Sequence, residues 1–387
     1  MRSLLELVQQ VQVAAENVAA GNGGPENMEL MRTIRNLTRV AEPPAEKLKR
    51  LYYQPAQNAM LRLAVELGLP HALVEAKTMN AEELAVKSGA DKLFIVRIMR
   101  LLIAIDIVDE TGEEQYSATP ITEALASETW TSAARFTNDT LVPTYAKILE
   151  YYRDTGFRSS EKTAIEYAVG ADFWIWVKGH PSLHKDFHLY MRGRKDGSRR
   201  WLDYFPVATQ VGDLSTAKDS VTLVDVGGNF GHDLKLFRES FPNLPGRLVL
   251  IDLPEVLQAN PDPLEGIEKV DYDFFTPQPI NGAKFYIFRS ICHDWPDKDC
   301  VKFLTNTIRA MKPGYSRLLI NERVLPNVGA ELQSTVMDIA MMTYYHAMER
   351  SERQWRTLLA NVGLEIVKIW SLESGDCEAV IETVLKE

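Results

Sequence analysis

The chain has 387 residues, 45% of them hydrophobic and 25% charged, with a formal net charge of −10 at pH 7. That is enough chain for one large domain and a smaller one with buried cores, and so acidic a chain gains nothing from counterion release on DNA or RNA, which argues against nucleic acid as a partner. Three cysteines without a CxxC pair argue against a disulfide framework or a structural zinc site and fit a reducing, cytoplasmic compartment, and no stretch approaches the roughly 18 apolar residues needed to span a membrane.

Residues 1–20 read as an amphipathic helix with no signal-peptide core, since Glu6, Gln9, Gln10 and Glu16 interrupt it. The glycines and proline of GNGGPEN, residues 21–27, predict a turn. A second helix follows to about Ala41, where Pro43 and Pro44 stop it. Helices this short cannot bury their apolar faces alone, so a partner subunit or the rest of the chain must cover them.

Residues 56–125 read as a compact helical module with a hairpin. Asn80 and Glu83 have capping-box spacing for a helix over 81–88. Asp91 caps a longer helix, LFIVRIMRLLIAI, whose apolar residues lie nearly all round and predict burial. IVDETGEEQYSAT, residues 107–119, alternates about a Thr111-Gly112 turn. This is a winged-helix pattern. A DNA-binding regulator is one reading, but the carboxylates on helix 81–88 and on the wing would repel phosphate, which favours a structural or dimerisation module.

Residues 130–205 read as helical and aromatic-rich. From about 218, strands alternate with helices, which predicts a parallel α/β sheet with strands VTLVDVG, RLVLIDL, KFYIFRS and RLLINERV. The end differs: LEIVKIWSL and EAVIETVLK form a hairpin about the SGD turn.

The strongest chemical signal is VDVGGNFG, residues 224–231: a strand, an acidic residue and a glycine-rich turn opening a helix. Gly227, Gly228 and Gly231 would let a ligand approach the backbone closely. A dinucleotide GxGxxG fails, because Asn229 and His232 stand where glycines would be required. The methyltransferase pattern, acidic-x-G-x-G-x-G, is met at Asp225, Gly227 and Gly231, with Asn229 in place of the middle glycine. Asp252 ends the next strand, where a carboxylate can accept two ribose hydroxyls. Asp273 and Phe274 in YDFF could bind an adenine amino group and stack on its ring. In FRSICHDWPDKDC, His293 sits just past a strand at the ligand-binding edge of the sheet, suited to removing a phenolic proton. His180, His184 and His188 recur at four-residue spacing, but no carboxylate or cysteine completes a set, so no metal is expected.

VDVGGNFGHDL, LIDLP, YDFF, ICHDWPD, INERVLP and MERSERQW together resemble the plant and fungal small-molecule O-methyltransferases of the caffeic acid O-methyltransferase type, over about residues 50–386. The resemblance implies an α/β fold: a Rossmann-like seven-stranded methyltransferase domain behind a mostly helical, winged-helix-like dimerisation domain, and a homodimer. The expected division is 1–45 an extension, 46–128 dimerisation, 129–210 a helical linker and substrate-lining region, and 211–387 the cofactor domain. It implies S-adenosylmethionine (SAM) as cofactor, a phenolic small molecule as substrate, and His293 as base between Glu322 and Glu349. Cofactor contacts fall on Asp225, Gly227, Gly228, Gly231, Asp252, Asp273 and Phe274, with Arg289 the basic residue ahead of the histidine. Substrate-lining positions fall on Phe187, Met191, Met341 and Met342. Some fungal relatives are SAM-binding pericyclases, so a chain of this fold that transfers no methyl is the alternative.

Overall fold

The structure, a computed structural model, describes residues 3–20, 25–158, 160–193, 200–211, 214, 219–259, 263–372 and 377–386. The chain divides into two units, Met1–Arg158 with Ala164–Ser198, and Ser159–Thr163 with Arg199–Glu387.

The first unit is mostly helical. Helix α1 (Leu4–Ala19) opens on a Ser3–Glu6 capping box. Helix α2 (Pro25–Ala41) begins inside the segment expected to be a turn, because proline at a first helical position gives up only an N–H that has no partner there. For the same reason Pro43 caps and Pro44 opens α3 (Pro44–Glu66) instead of merely ending α2. There follow α4 (Leu69–Ala76), β1 (Thr78–Asn80), α5 (Ala81–Ser88), α6 (Lys92–Ala104), β2 (Val108–Gly112) and β3 (Gln115–Ala118), with an antiparallel sheet ordered β1-β3-β2. The expected caps form: Asn80 with Glu83 on α5, and Asp91 on α6.

Two expectations here need correction. The hairpin turns two residues later than Thr111-Gly112, because Gly112 pairs with Gln115 and leaves Glu113-Glu114 as the loop. Helix α6 is not buried all round: Ile95, Ile98, Met99 and Leu102 join Leu69, Leu73, Leu84 and Tyr116 in the core, but Leu93 is 63% exposed and Phe94 is exposed beside it. Helices α7 (Pro120–Ala126), α8 (Glu128–Asp154), α9 (Ala164–Val169), α10 (Phe173–Lys178) and α11 (Pro181–Gly193) complete the unit. Arg135 on α8 grips Asp186 on α11 through two hydrogen bonds of 2.9 Å.

The second unit starts with α12 (Trp201–Tyr204) and α13 (Val207–Gln210). It continues as β4 (Val221–Val226), α14 (His232–Ser240), β5 (Arg247–Asp252), α15 (Pro254–Ala259), β6 (Ile267–Asp271), β7 (Phe285–Arg289), a 3-10 turn (Cys292–Asp294), α16 (Asp297–Ala310), β8 (Arg317–Arg323), α17 (Leu332–Tyr345), α18 (Glu352–Asn361), β9 (Leu364–Ser371) and β10 (Glu378–Leu385). The seven strands are ordered β6-β5-β4-β7-β8-β10-β9; the first five run parallel and β10 is antiparallel to both neighbours. Strand β6 was not read from the sequence: it is an edge strand with only Ile267 fully buried. The SGD turn lies outside the described residues.

Both sheet faces are covered, which is why β4 is buried at every position. Phe288, Phe303, Leu304 and Leu358 pack one face. Phe205, Phe237, Leu250 and Trp201 pack the other, with Trp201 stacked on Phe237 at 5.9 Å between centroids. The parallel strands therefore end together, and their carboxyl ends present one row of loops. No described helix is long and apolar enough to cross a membrane.

Candidate active site

Five consecutive strand ends build the site. After β4, Gly227 (φ 71°), Asn229 (φ 54°) and Gly231 (φ 72°) adopt left-handed backbone that folds the loop into a tight cradle. Gly228 is glycine for space: a Cβ there would lie 2.3 Å from Asp225 Oδ2 and 2.6 Å from Leu250 Cδ1. Asp225 is buried, its carboxyl pressed against the loop from behind. At the end of β5, Asp252 Oδ2 accepts from Asn229 N at 2.8 Å and Oδ1 from Leu253 N at 2.7 Å. Burial holds the Asp252 carboxyl above its usual range, and these two bonds offset only part of that rise. Beyond β6, exposed Asp273 accepts from Phe275 N at 3.0 Å, and Phe274 packs edge-on to Trp295.

These residues fit an adenosine-bearing group. With no Cβ at Gly227, Gly228 and Gly231 a ligand can approach the loop backbone closely, and the Asp252 oxygens each keep a lone pair beyond their single backbone bond. Arg289, expected to serve the cofactor, is also tied into the fold. Its Nη1 is bound to both oxygens of Asp233, at 2.7 and 2.8 Å, which ties the end of β7 to the first turn of α14. Its buried Nε has no hydrogen-bond partner among the described residues.

The β7 end leads into the turn that carries His293. Ile291 reaches back to the glycine loop, its Cδ1 lying 2.8 Å from where a Gly227 Cβ would be. The His293 turn and the glycine loop are therefore neighbours. Glu322 on β8 accepts from the backbone N–H groups of Ile291, Cys292 and His293 at 2.9, 2.7 and 3.3 Å through Oε1, while its Oε2 is 4.0 Å from His293 Nδ1. Glu349, on the segment after α17, is the direct partner, with Oε1 at 3.0 Å from Nδ1. The Glu349 side chain is 0% exposed, its Oε2 has no partner among the described residues, and its own N–H donates to Asp338 at 2.9 Å. A carboxylate on Nδ1 assigns the neutral imidazole its proton there and leaves Nε2 to accept.

Nε2 faces Asp294 Oδ1 at 3.5 Å, and the imidazole is 19% exposed. Burial opposes a charge on His293, but Asp294, Glu322 and Glu349 outweigh it and raise its pKa to about 10. Burial pushes Glu322 up to about 7, against the pull of His293, and raises Asp294. The ligand atoms of His293, Glu322 and Glu349 converge within 4.8 Å of one another.

Residues 160–365 match the O-methyltransferase domain, and residues 54–128 match the O-methyltransferase dimerisation domain. The chain belongs to the O-methyltransferase family. Among curated proteins it is similar to O-methyltransferase penC of Penicillium thymicola, 35% identical over 92% of this chain and 90% of the relative. Two solved structures, described as "A Pericyclic Reaction enzyme" and "The structure of LepI complex with SAM", superpose with TM-scores of 0.87 and 0.86. Each is 29% identical and covers 99% of this chain and 100% of its own.

Among the family's expected substrate positions, Met341 is buried and Met342 half-buried on α17, the helix that lies against the His293 turn. Phe187 and Met191 lie on α11 of the first unit, Phe187 among Phe136, Phe173 and Trp174. His184 and His188 touch through Nε2 at 3.0 Å, and His180 Nδ1 is 2.6 Å from the Trp176 carbonyl oxygen. Sequence reasoning missed Asp294 and Arg350. Asp294 was hidden beside the histidine that drew notice, and Arg350 in a charged run with no periodicity to suggest burial.

Proposed function

We propose that the chain transfers a methyl group from SAM to a hydroxyl of a small aromatic molecule, with His293 as base. The observation that carries this is the junction at Ile291, which sets a glycine cradle against a turn whose histidine has Nδ1 engaged by Glu349, so that Nε2 is the accepting nitrogen of the neutral ring. SAM binding rests on that cradle, on Asp252, and on a similar structure described as a complex with SAM. When bound, SAM supplies an electrophilic methyl on a sulfonium, whose positive charge opposes protonation of the site.

The chain's own part is to hold the acceptor and take its proton at Nε2. Without a cation beside it, His293 is an imidazolium at neutral pH; Glu349 stabilises that charged form at Nδ1 and Glu322 keeps the turn folded. Met341 and Met342 are proposed to line the acceptor; flexible thioethers suit flat aromatic surfaces. Asp225, Asp273 and Phe274 are proposed for the cofactor, as is Arg289 through its Nε.

A homodimer belongs to the same reading. It is supported by the dimerisation-domain match and by the apolar residues that α1 and α2 leave exposed, among them Leu5, Val13 and Met31. Three free cysteines support a cytoplasmic setting. The test is incubation with methyl-labelled SAM and a panel of phenols. A product heavier by one labelled methyl supports the reading. Conversion without methyl gain, leaving SAM unconsumed, replaces it with the pericyclic reading, to which the similar structure described as "A Pericyclic Reaction enzyme" points.

A further inference from the structure

The segment that carries Glu349 continues into Arg350, a residue the chemistry above does not use. Its side chain is 0% exposed. A buried guanidinium is costly unless its donors are met, and here they are met by the His293 turn. Nη1 donates to the carbonyl oxygen of Cys292 at 2.7 Å, and Nη2 donates to that of Trp295 at 2.9 Å. Nε and Nη2 donate to Asp297 Oδ1 at 2.9 and 2.7 Å, and the cation lies 5.3 Å over the Trp355 ring. Cys292 and Trp295 bracket His293. On the opposite side, Glu322 holds the N–H groups of residues 291–293. The turn thus has its donors gripped by a carboxylate and its acceptors by a guanidinium. The backbone of Arg350 adds a further tie, since Leu325 N donates to its carbonyl oxygen at 2.9 Å, just past the strand that bears Glu322.

Glu349 and Arg350 are covalent neighbours. One binds the imidazole, and the other binds the backbone on both sides of it. We propose that Arg350 is a positioning residue for methyl transfer, fixing His293 against Glu349 without touching donor or acceptor; the proposal rests on the reading of His293 as base. The fork geometry matters, because a lysine ammonium in the same place is a point charge and cannot span two carbonyls and a carboxylate. A base displaced by about 1 Å costs on the order of 100-fold in rate.

The test uses the full chain with Arg350→Lys and Asp297→Ala. The second variant removes two of the guanidinium's bonds at a side chain that is 57% exposed, where water can meet the freed donors, and leaves Arg350 itself in place. The readouts are kcat with a neutral phenol, the affinity for S-adenosylhomocysteine, and the His293 titration followed by NMR with labelled histidine. Expected are a kcat loss of about 100-fold for Arg350→Lys and about 10-fold for Asp297→Ala, with S-adenosylhomocysteine affinity kept within about 2-fold. In both variants the His293 titration moves to lower pH as Glu349 drifts from it. Wild-type kcat and an unmoved titration in Asp297→Ala overturn the proposal whether or not Arg350→Lys folds. So does a loss of rate matched by an equal loss of S-adenosylhomocysteine binding. Should the wild type methylate no phenol, the functional reading fails while the His293 titration still decides the role of Arg350.

Discussion

Gly228→Ala tests the cofactor cradle at its tightest point. The added methyl would lie 2.3 Å from Asp225 Oδ2, 2.4 Å from Asp225 Cγ and 2.6 Å from Leu250 Cδ1. Neither neighbour can swing aside, since Asp225 is 1% and Leu250 0% exposed. Overpacking of this kind costs about 1–3 kcal/mol. If the core absorbs the strain, Tm falls by about 2–10 °C. If the loop shifts instead, the same energy appears as a loss of S-adenosylhomocysteine affinity of about 5- to 150-fold. Calorimetry of binding and of unfolding on one sample gives both shares. Gly112→Ala is the control, because its Cβ would meet only Gln115, at 3.7 Å. A Gly228→Ala protein with wild-type Tm and wild-type affinity would refute the packing argument and the cradle with it.

Asp252→Ala removes the acceptor for Asn229 N and Leu253 N, and charged hydrogen bonds of this type are worth about 1.5–3 kcal/mol each; calorimetry should show S-adenosylhomocysteine affinity down by at least about 10-fold. Glu349→Gln removes the buried charge that faces Nδ1, so the neutral imidazole becomes available at lower pH, and the ascending limb of the pH–rate profile should move down as kcat falls by about 100-fold. The ligand-free protein should show the matching stability effect. A histidine raised from 6.5 to about 10 on folding stabilises fully below pH 6.5 and loses that contribution as pH climbs through about 10. Denaturant titrations of wild type and His293→Gln should therefore converge between pH 7 and pH 10, by a few kcal/mol at about 1.4 per unit.

Much of the second unit was legible because its signals are local. The β4–glycine–helix sequence, Asp252 at a strand end and His293 past β7 each sit beside a recognisable run of apolar residues. Strand β6 escaped because an edge strand needs little apolar sequence. The placement of α2 and α3 was misjudged because proline breaks a helix interior but opens a helix start, and sequence alone does not say which side it is on. Burial around α6 was overstated because an apolar periphery predicts cover without saying that the same chain provides it; Leu93 and Phe94 are left exposed. The division of labour at the site was least legible. Glu322 and Glu349 look equivalent in sequence, yet one folds the turn through three backbone N–H groups and the other binds the imidazole. Arg350 reads as a surface charge and is buried, because only tertiary contact brings two carbonyls and Asp297 to meet it.

The base role of His293 is tested most directly by measuring the methylation rate of wild type and His293→Ala across phenols of graded acidity, with S-adenosylhomocysteine affinity measured alongside. A positioned base is worth about 100- to 10,000-fold. The account predicts a loss of that size for phenols neutral at the assay pH, a loss that shrinks steadily for phenols already ionised, and unchanged cofactor affinity. A variant that methylates neutral phenols at the wild-type rate, or loses the same factor for neutral and ionised acceptors alike, would contradict it.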